Sequence, residues 1–247
     1  MTATAPAPTP AEMGLFARAM GVITSPRATF ETIVAKPRPV GALFLVALLT
    51  GIAAGVPQFS DAGRQATLTA QVETNERFMG RAMTDEEYSR AERFSHYGAY
   101  LAIAGTFVAL PIFSLIFTGL YWVAFNTVLG GAGSFKQVLA IVTHSGMTGA
   151  LGAVLGAPIQ LMQGKVTQGG PFNLGALAPF LDERSPLAIL LGFTSIFTLW
   201  GLVVTAIGLS VLYRRKTLTI AISLIVVYFV IAYTLTSMFA GGAQTGR

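Results

Sequence analysis

The sequence predicts an all-α membrane protein: a five-transmembrane-helix bundle with an N-terminal amphipathic interfacial segment and a polar helical hairpin between spans 1 and 2. Three observations carry this. Of 247 residues, 53% are apolar and only 11% are charged, against roughly 25% charge in soluble domains. Mean hydropathy is +0.64. The charges are also clustered, leaving uncharged intervals at 39–60, 94–135, 137–164, 166–181, 185–213 and 217–246. A helix needs about 20 apolar residues to cross the hydrocarbon core, so five of these intervals can span. The interval 166–181 holds Gly169, Gly170, Pro171, Asn173, Gly175 and Pro179, and reads as a loop.

Residues 1–12 lack a basic start and an apolar core, so no removable signal is expected and they read as a disordered tail. The segment 13–38 follows as two short amphipathic helices. Met13, Phe16, Met20 and Ile23 recur at helical spacing, widened by Leu15, Ala19 and Val22, as suits a helix lying in the membrane interface or packed on the bundle. Ser25 can cap a second helix with Pro26 at its first position, and Phe30, Ile33 and Val34 form its apolar face. Phe16, Met20 and Phe30 are therefore candidate interfacial residues. Lys36-Pro37-Arg38-Pro39 ends the segment at the membrane edge.

The membrane domain then runs over about 40–240. Its first span, 40–56, carries Gly51 and Gly55 at GxxxG spacing, which lets another backbone come close. Residues 58–95 hold seven acids and five arginines and form the hairpin outside the bilayer. Thr84 and Glu87 make a capping box, with Asp85 and Glu86 also at a helix start, where negative charge is favoured. The second span, 98–128, is too short for two crossings and is expected to kink near Pro111, where a helical hydrogen bond is lost. Tyr121 and Trp122 are interface anchors near its end. Gly130–Gly133 make a tight turn and Ser134 caps the third span, 136–161. In that span Gly146, Gly149, Gly152 and Gly156 leave one face nearly bare, for a packed neighbour or a groove. The fourth span, 187–212, has Trp200 midway. A tight hairpin at Arg214-Arg215-Lys216 leads to the fifth, 217–239.

Basic residues set the orientation of multi-pass proteins. With the N-terminus cytoplasmic, each side carries eight. Arg214–Lys216 sit at the membrane face in a hairpin without slack, whereas most outer arginines are diluted along an acidic loop. The N-terminus is therefore expected inside and the C-terminus outside, in a bacterial inner membrane.

Little chemistry is available. The absence of cysteine excludes disulfides and thiolate metal sites or nucleophiles, and two histidines make a poor zinc site. The spans contain no Asp or Glu, so no Ser/His/Asp set can assemble within the membrane, and nucleotide-binding glycine motifs are absent. No enzyme activity, cofactor or metal is expected. The basic residues serve membrane topology, so no nucleic-acid partner is expected. His144, the one histidine inside a span, is a candidate intramembrane polar residue. It is read either as a proton relay or ligand contact, or as an imidazole hydrogen-bonded between helices. Gln160, Gln163 and Asn173 are polar residues at the bundle's end.

The arrangement resembles the Yip1-domain family, particularly its bacterial members. The resemblance rests on Ser25-Pro26 and Phe30 before the first span and on Ser134-Phe135-Lys136-Gln137-Val138 opening the third. Leu199-Trp200-Gly201, Ile207-Gly208-Leu209, the basic hairpin and the apolar last helix complete it, over about residues 13–240. It implies five spans and a cytoplasmic N-terminus. Eukaryotic relatives bind small GTPases through an Asp-Leu-Tyr-Gly-Pro-like motif that this sequence lacks, so no GTPase partner is expected. Bacterial relatives look like accessory membrane proteins, some associated with ABC-type exporters. The expected role is a non-enzymatic accessory or scaffold within the lipid bilayer, assembling with other membrane proteins or with itself. The alternatives are a small-solute permease or channel through spans 2 and 3, and membrane shaping by residues 13–34.

Overall fold

The computed structural model describes residues 13–167, 169–182 and 185–242; the expected tail, 1–12, lies outside the described residues. Ten α-helices follow in order, and no strand occurs among the described residues. They are α1 (Leu15–Thr24), α2 (Pro26–Ala35), α3 (Pro39–Gly55), α4 (Asp61–Met79), α5 (Asp85–Ser95), α6 (Gly98–Trp122), α7 (Phe135–Gln163), α8 (Pro186–Phe193), α9 (Ile196–Tyr213) and α10 (Thr217–Gly242). Five segments are long and apolar enough to cross a membrane: Pro39–Phe59, Gly98–Val128, Phe135–Gln163, Ile196–Tyr213 and Thr217–Met238. The protein is an all-α membrane protein.

The centre of the bundle is α7, which packs extensively on α3 and α9. Helix α6 lies against α3 and α7, and α10 against α9 and α8. The main core joins Val22, Phe30 and Ile33 of the N-terminal pair to Val138 and Ile141 of α7 and Val204 and Leu209 of α9.

Four expectations change. Phe30 is completely buried rather than interfacial. Helix α2 packs against α7 and α9, and its Phe30 ring lies beside Gly208, where a missing Cβ leaves it room. Phe16 and Met20 on α1 are 74% and 61% exposed, so the two short helices divide the work, α2 sealing the core and one face of α1 staying open. Ser25 occupies the N-cap position of α2, but its side chain makes no capping bond, and Pro26 starts the helix.

The fourth span does not run unbroken from 187 to 212. Thr194-Ser195, between α8 and α9, interrupts it, with Thr194 extended and Ser195 capping α9 through the Thr198 N–H at 3.1 Å. The loop after α7 supplies the partners that this break needs. The Leu174 N–H donates to the Thr194 carbonyl (2.8 Å) and the Ile196 N–H to the Phe172 carbonyl (3.1 Å). Backbone groups away from water must find such partners, and the loop's Gly175 comes close enough to Gly192 that a side chain there would be crowded.

Helix α6 continues in α-helical form past Pro111, and its departure from α geometry falls instead at Val123–Val128, a π-helical turn.

Candidate functional site

The expected glycine faces resolve into specific contacts, and not all face the same way. A Cβ at Gly55 would meet Ile103 Cγ1 at 2.5 Å and the Ala99 carbonyl oxygen at 2.9 Å, while Gly51 lies 3.6 Å from the Ile103 backbone. The GxxxG of α3 therefore receives the first turns of α6. On α7 the glycines meet three different neighbours. Gly146 faces Val46 of α3, Gly152 faces the Phe197 ring of α9, and Gly156 faces Pro171 of the following loop. Gly149 has open space beside it. Helix α9 returns the arrangement, because Gly201 receives Thr148 and Gly208 receives Ile141 of α7. The α7–α9 contact is thus knobs from each helix set into glycine holes of the other, and the α9 half was not assigned from the sequence as packing.

His144 lies on α7 and is fully buried. Its Nδ1 is 2.7 Å from the Ala140 carbonyl oxygen, which makes Nδ1–H the donor. Its Nε2 and the neighbouring Ser145 hydroxyl have no hydrogen-bond partner among the described residues. The side chains of Thr143 and Thr148 bond to carbonyls of their own helix. Arg18, on α1, is also buried, donates from Nε to the Met13 carbonyl oxygen at 2.9 Å, and lies within electrostatic reach of the imidazole. The packing of α1 onto α7 brings the two together, a pairing that helical spacing within residues 13–23 does not show.

A second polar assembly organises the turn before α7. Asn126 grips Gly133 at both ends, donating to its carbonyl oxygen (2.6 Å) and accepting from its N–H (3.1 Å). Trp122 Nε1 donates to the same carbonyl at 3.0 Å. Tyr213, stacked on Phe125 at 4.7 Å, fills the space left by Gly131 and Gly133. Ser134 and Gln137 form a reciprocal capping box, and Gln137 Nε2 also reaches the Val34 carbonyl oxygen at 3.0 Å, tying α2 to α7. Arg215 donates to the Leu129 carbonyl oxygen at 2.9 Å. The loop-end polar residues are absorbed similarly. Gln160 accepts from the Thr167 N–H, and Asn173 caps the short turn Leu174–Leu177.

The polar hairpin is α4 and α5, separated by a turn with Gly80 in a left-handed conformation. The Thr84–Glu87 capping box forms as expected. The Arg81 guanidinium, bonded to both Glu87 oxygens at 2.8 and 2.7 Å, and the Thr84 N–H hold the Glu87 carboxyl down at about 2. The same contact raises Arg81 above its ordinary value. Among the described residues no group of acids and histidines could hold a metal ion.

Comparison with known proteins fits this bundle. The Yip1 domain family model matches residues 20–238. The chain belongs to the Yip1 domain family. The match takes in all five spans, the hairpin and α2. Membrane protein YknW of Bacillus subtilis (strain 168) is 28% identical over 191 residues, covering 76% of this chain and 75% of its own length. No solved structure matches. In this Yip1-domain protein the Ser134–Val138 segment that carried part of the resemblance is the capping box and the α2 tie, and Gly201 and Gly208 are the holes that receive α7.

Proposed function

We propose that this Yip1-domain protein is a non-enzymatic accessory or scaffold, set in a bacterial inner membrane with its N-terminus cytoplasmic and its C-terminus outside, that assembles with other membrane proteins. An ABC-type exporter is the partner class we place first. The observation that carries the reading is the surface of α6. Its apolar residues Val108, Ile112, Leu115, Ile116 and Leu120 are half or more exposed, and Gly105 and Gly119 on the same helix have open space where a Cβ would stand. Lipid satisfies exposed leucine and isoleucine. Vacant glycine positions add room for a second helix backbone to approach, and among the described residues nothing uses it.

The permease reading finds less support. His144 is enclosed by protein, and of the two cavities described, one opens at the α9–α10 turn and the other at the base of the hairpin, neither lined by His144. The hairpin, with its charged face, is the proposed extramembrane contact with the partner.

The test is purification of the tagged protein from its native membrane in mild detergent, with identification of stoichiometric co-purifying proteins. Gly105→Leu with Gly119→Leu is expected to release the partner while leaving the monomer's thermal midpoint unchanged. A protein that purifies alone, in wild type and variant alike, overturns the assembly reading.

A further inference from the structure

At one end of the bundle, where α9 turns into α10, lies a notch of about 420 Å³ lined by Arg27, Glu31, Arg214, Arg215 and Lys216, with Ser210 and Val211 at its floor. We propose that it binds the phosphate-bearing headgroup of an anionic phospholipid from the leaflet that this end of the protein meets.

The charges in the notch are not used up by the fold. Arg215 is the exception, since its guanidinium holds the Leu129 carbonyl and so fixes the turn against the segment before α7. Arg27, Arg214 and Lys216 are exposed, and among the described residues none of them makes an ion pair, even with Glu31. Four cations thus face one carboxylate across a concave surface. They come from two separate parts of the chain, so sequence-local topology does not account for the grouping: Arg27 stands in the first turn of α2, nearly the whole membrane domain away from the others. Like charges held together repel, and a phosphate among them offsets that repulsion with charge-assisted hydrogen bonds.

An independent observation concerns the backbone. Arg214 closes α9 with φ 51 and ψ 44, the only non-glycine residue at positive φ among those described. That position favours glycine, because a Cβ there is crowded. An arginine holding it trades backbone ease for a guanidinium at the notch, and such outliers concentrate where a side chain has a task. The surface beyond the notch suits acyl chains. Leu218 and Ile222, one turn apart at the start of α10, are 72% and 53% exposed directly after Lys216.

The experiment uses the full chain in detergent, titrated with phosphatidylglycerol or phosphatidylcholine and followed by native mass spectrometry and thermal midpoint. Phosphatidylglycerol should remain bound and raise the midpoint, phosphatidylcholine should not, and 0.5 M salt should weaken the effect. Arg214→Gly removes a charge while relaxing the backbone, so its lipid-free midpoint should match or exceed the wild type. Combined with Arg27→Gln, it should weaken phosphatidylglycerol binding about tenfold or more, as loss of two surface cations predicts. Equal binding of phosphatidylcholine, undiminished binding by the double variant, or full replacement of the lipid by inorganic phosphate at the same concentration would each overturn the proposal.

Discussion

Gly55 and Gly149 set one residue type in opposite surroundings. Gly55 has Ile103 and the Ala99 backbone inside the distance a Cβ tolerates, whereas Gly149 has nothing within 4 Å. Gly55→Leu should therefore force α3 and α6 apart at a cost of about 1–3 kcal/mol or more, the range for overpacked cores, lowering the thermal midpoint in detergent. Gly149→Leu should leave it unchanged. Gly152→Leu belongs with the first, since Phe197 of the same chain fills that hole, and a loss of assembly there would report damage to the fold. At His144, one ring nitrogen is bonded and the other is not. Replacing a half-satisfied buried polar group by an apolar one of similar size costs little. His144→Leu should therefore leave the midpoint within a few degrees, and a large loss would indicate that Nε2 has a polar partner in the membrane. The glycine positions were legible as points of close approach because a missing side chain is visible in any sequence. Their partners were not, since glycine carries no shape that names what fills it. Arg18 was missed for a related reason: spacing shows which side of a helix a residue occupies, not which helix covers that side.

Within the elements, the hairpin offers the clearest pH dependence. Glu87 titrates at about 2 in the folded protein because Arg81 and Thr84 bond its charged form, against an ordinary value of 4.5. Its contribution to capping α5 is fully present above pH 4.5 and is lost as the pH falls toward 2. Protection factors of the α5 amides should drop over that window, and Glu87→Gln should remove the pH dependence while lowering protection at neutral pH. Thr84→Ala should cost α5 about 1 kcal/mol, the usual worth of such a cap. For α1, Phe16→Asp should weaken any membrane tubulation by the reconstituted protein without lowering its midpoint, whereas Phe30→Asp should unfold it. The capping box at Thr84 was readable because its partners lie three residues apart, and Ser134 was readable as a cap, whereas the reciprocal bond from Gln137 was not assigned. The break at Thr194 was not, because apolar residues flank it on both sides and the loop that stabilises it is 20 residues earlier in the chain.

Across the whole molecule, exclusion of charge from five long segments was enough to reveal the membrane class, since a single misplaced charge in the bilayer is costly. The arrangement of those segments depends on pairings distant in sequence, which periodicity does not encode. The position of α2 is the extreme case. Phe30 and Ile33 are completed by residues of α7 and by Gly208 and Leu209 of α9. At roughly 5–20 residues per second, the ribosome delivers Gly208 about 10–35 s after Phe30. During that interval the first helices to emerge have no pocket to fill. A stripe bearing Phe16, Met20, Phe30 and Ile33 would rest on the membrane surface in the meantime, so interfacial character at Phe30 and Ile33 would belong to a stage of biogenesis, while Phe16 and Met20 keep theirs in the finished fold. The finished bundle then draws α2 off the surface. Arrival of α9 is the step that closes the fold, and a chain halted before Gly208 would leave its N-terminal helices exposed to chaperones and proteases.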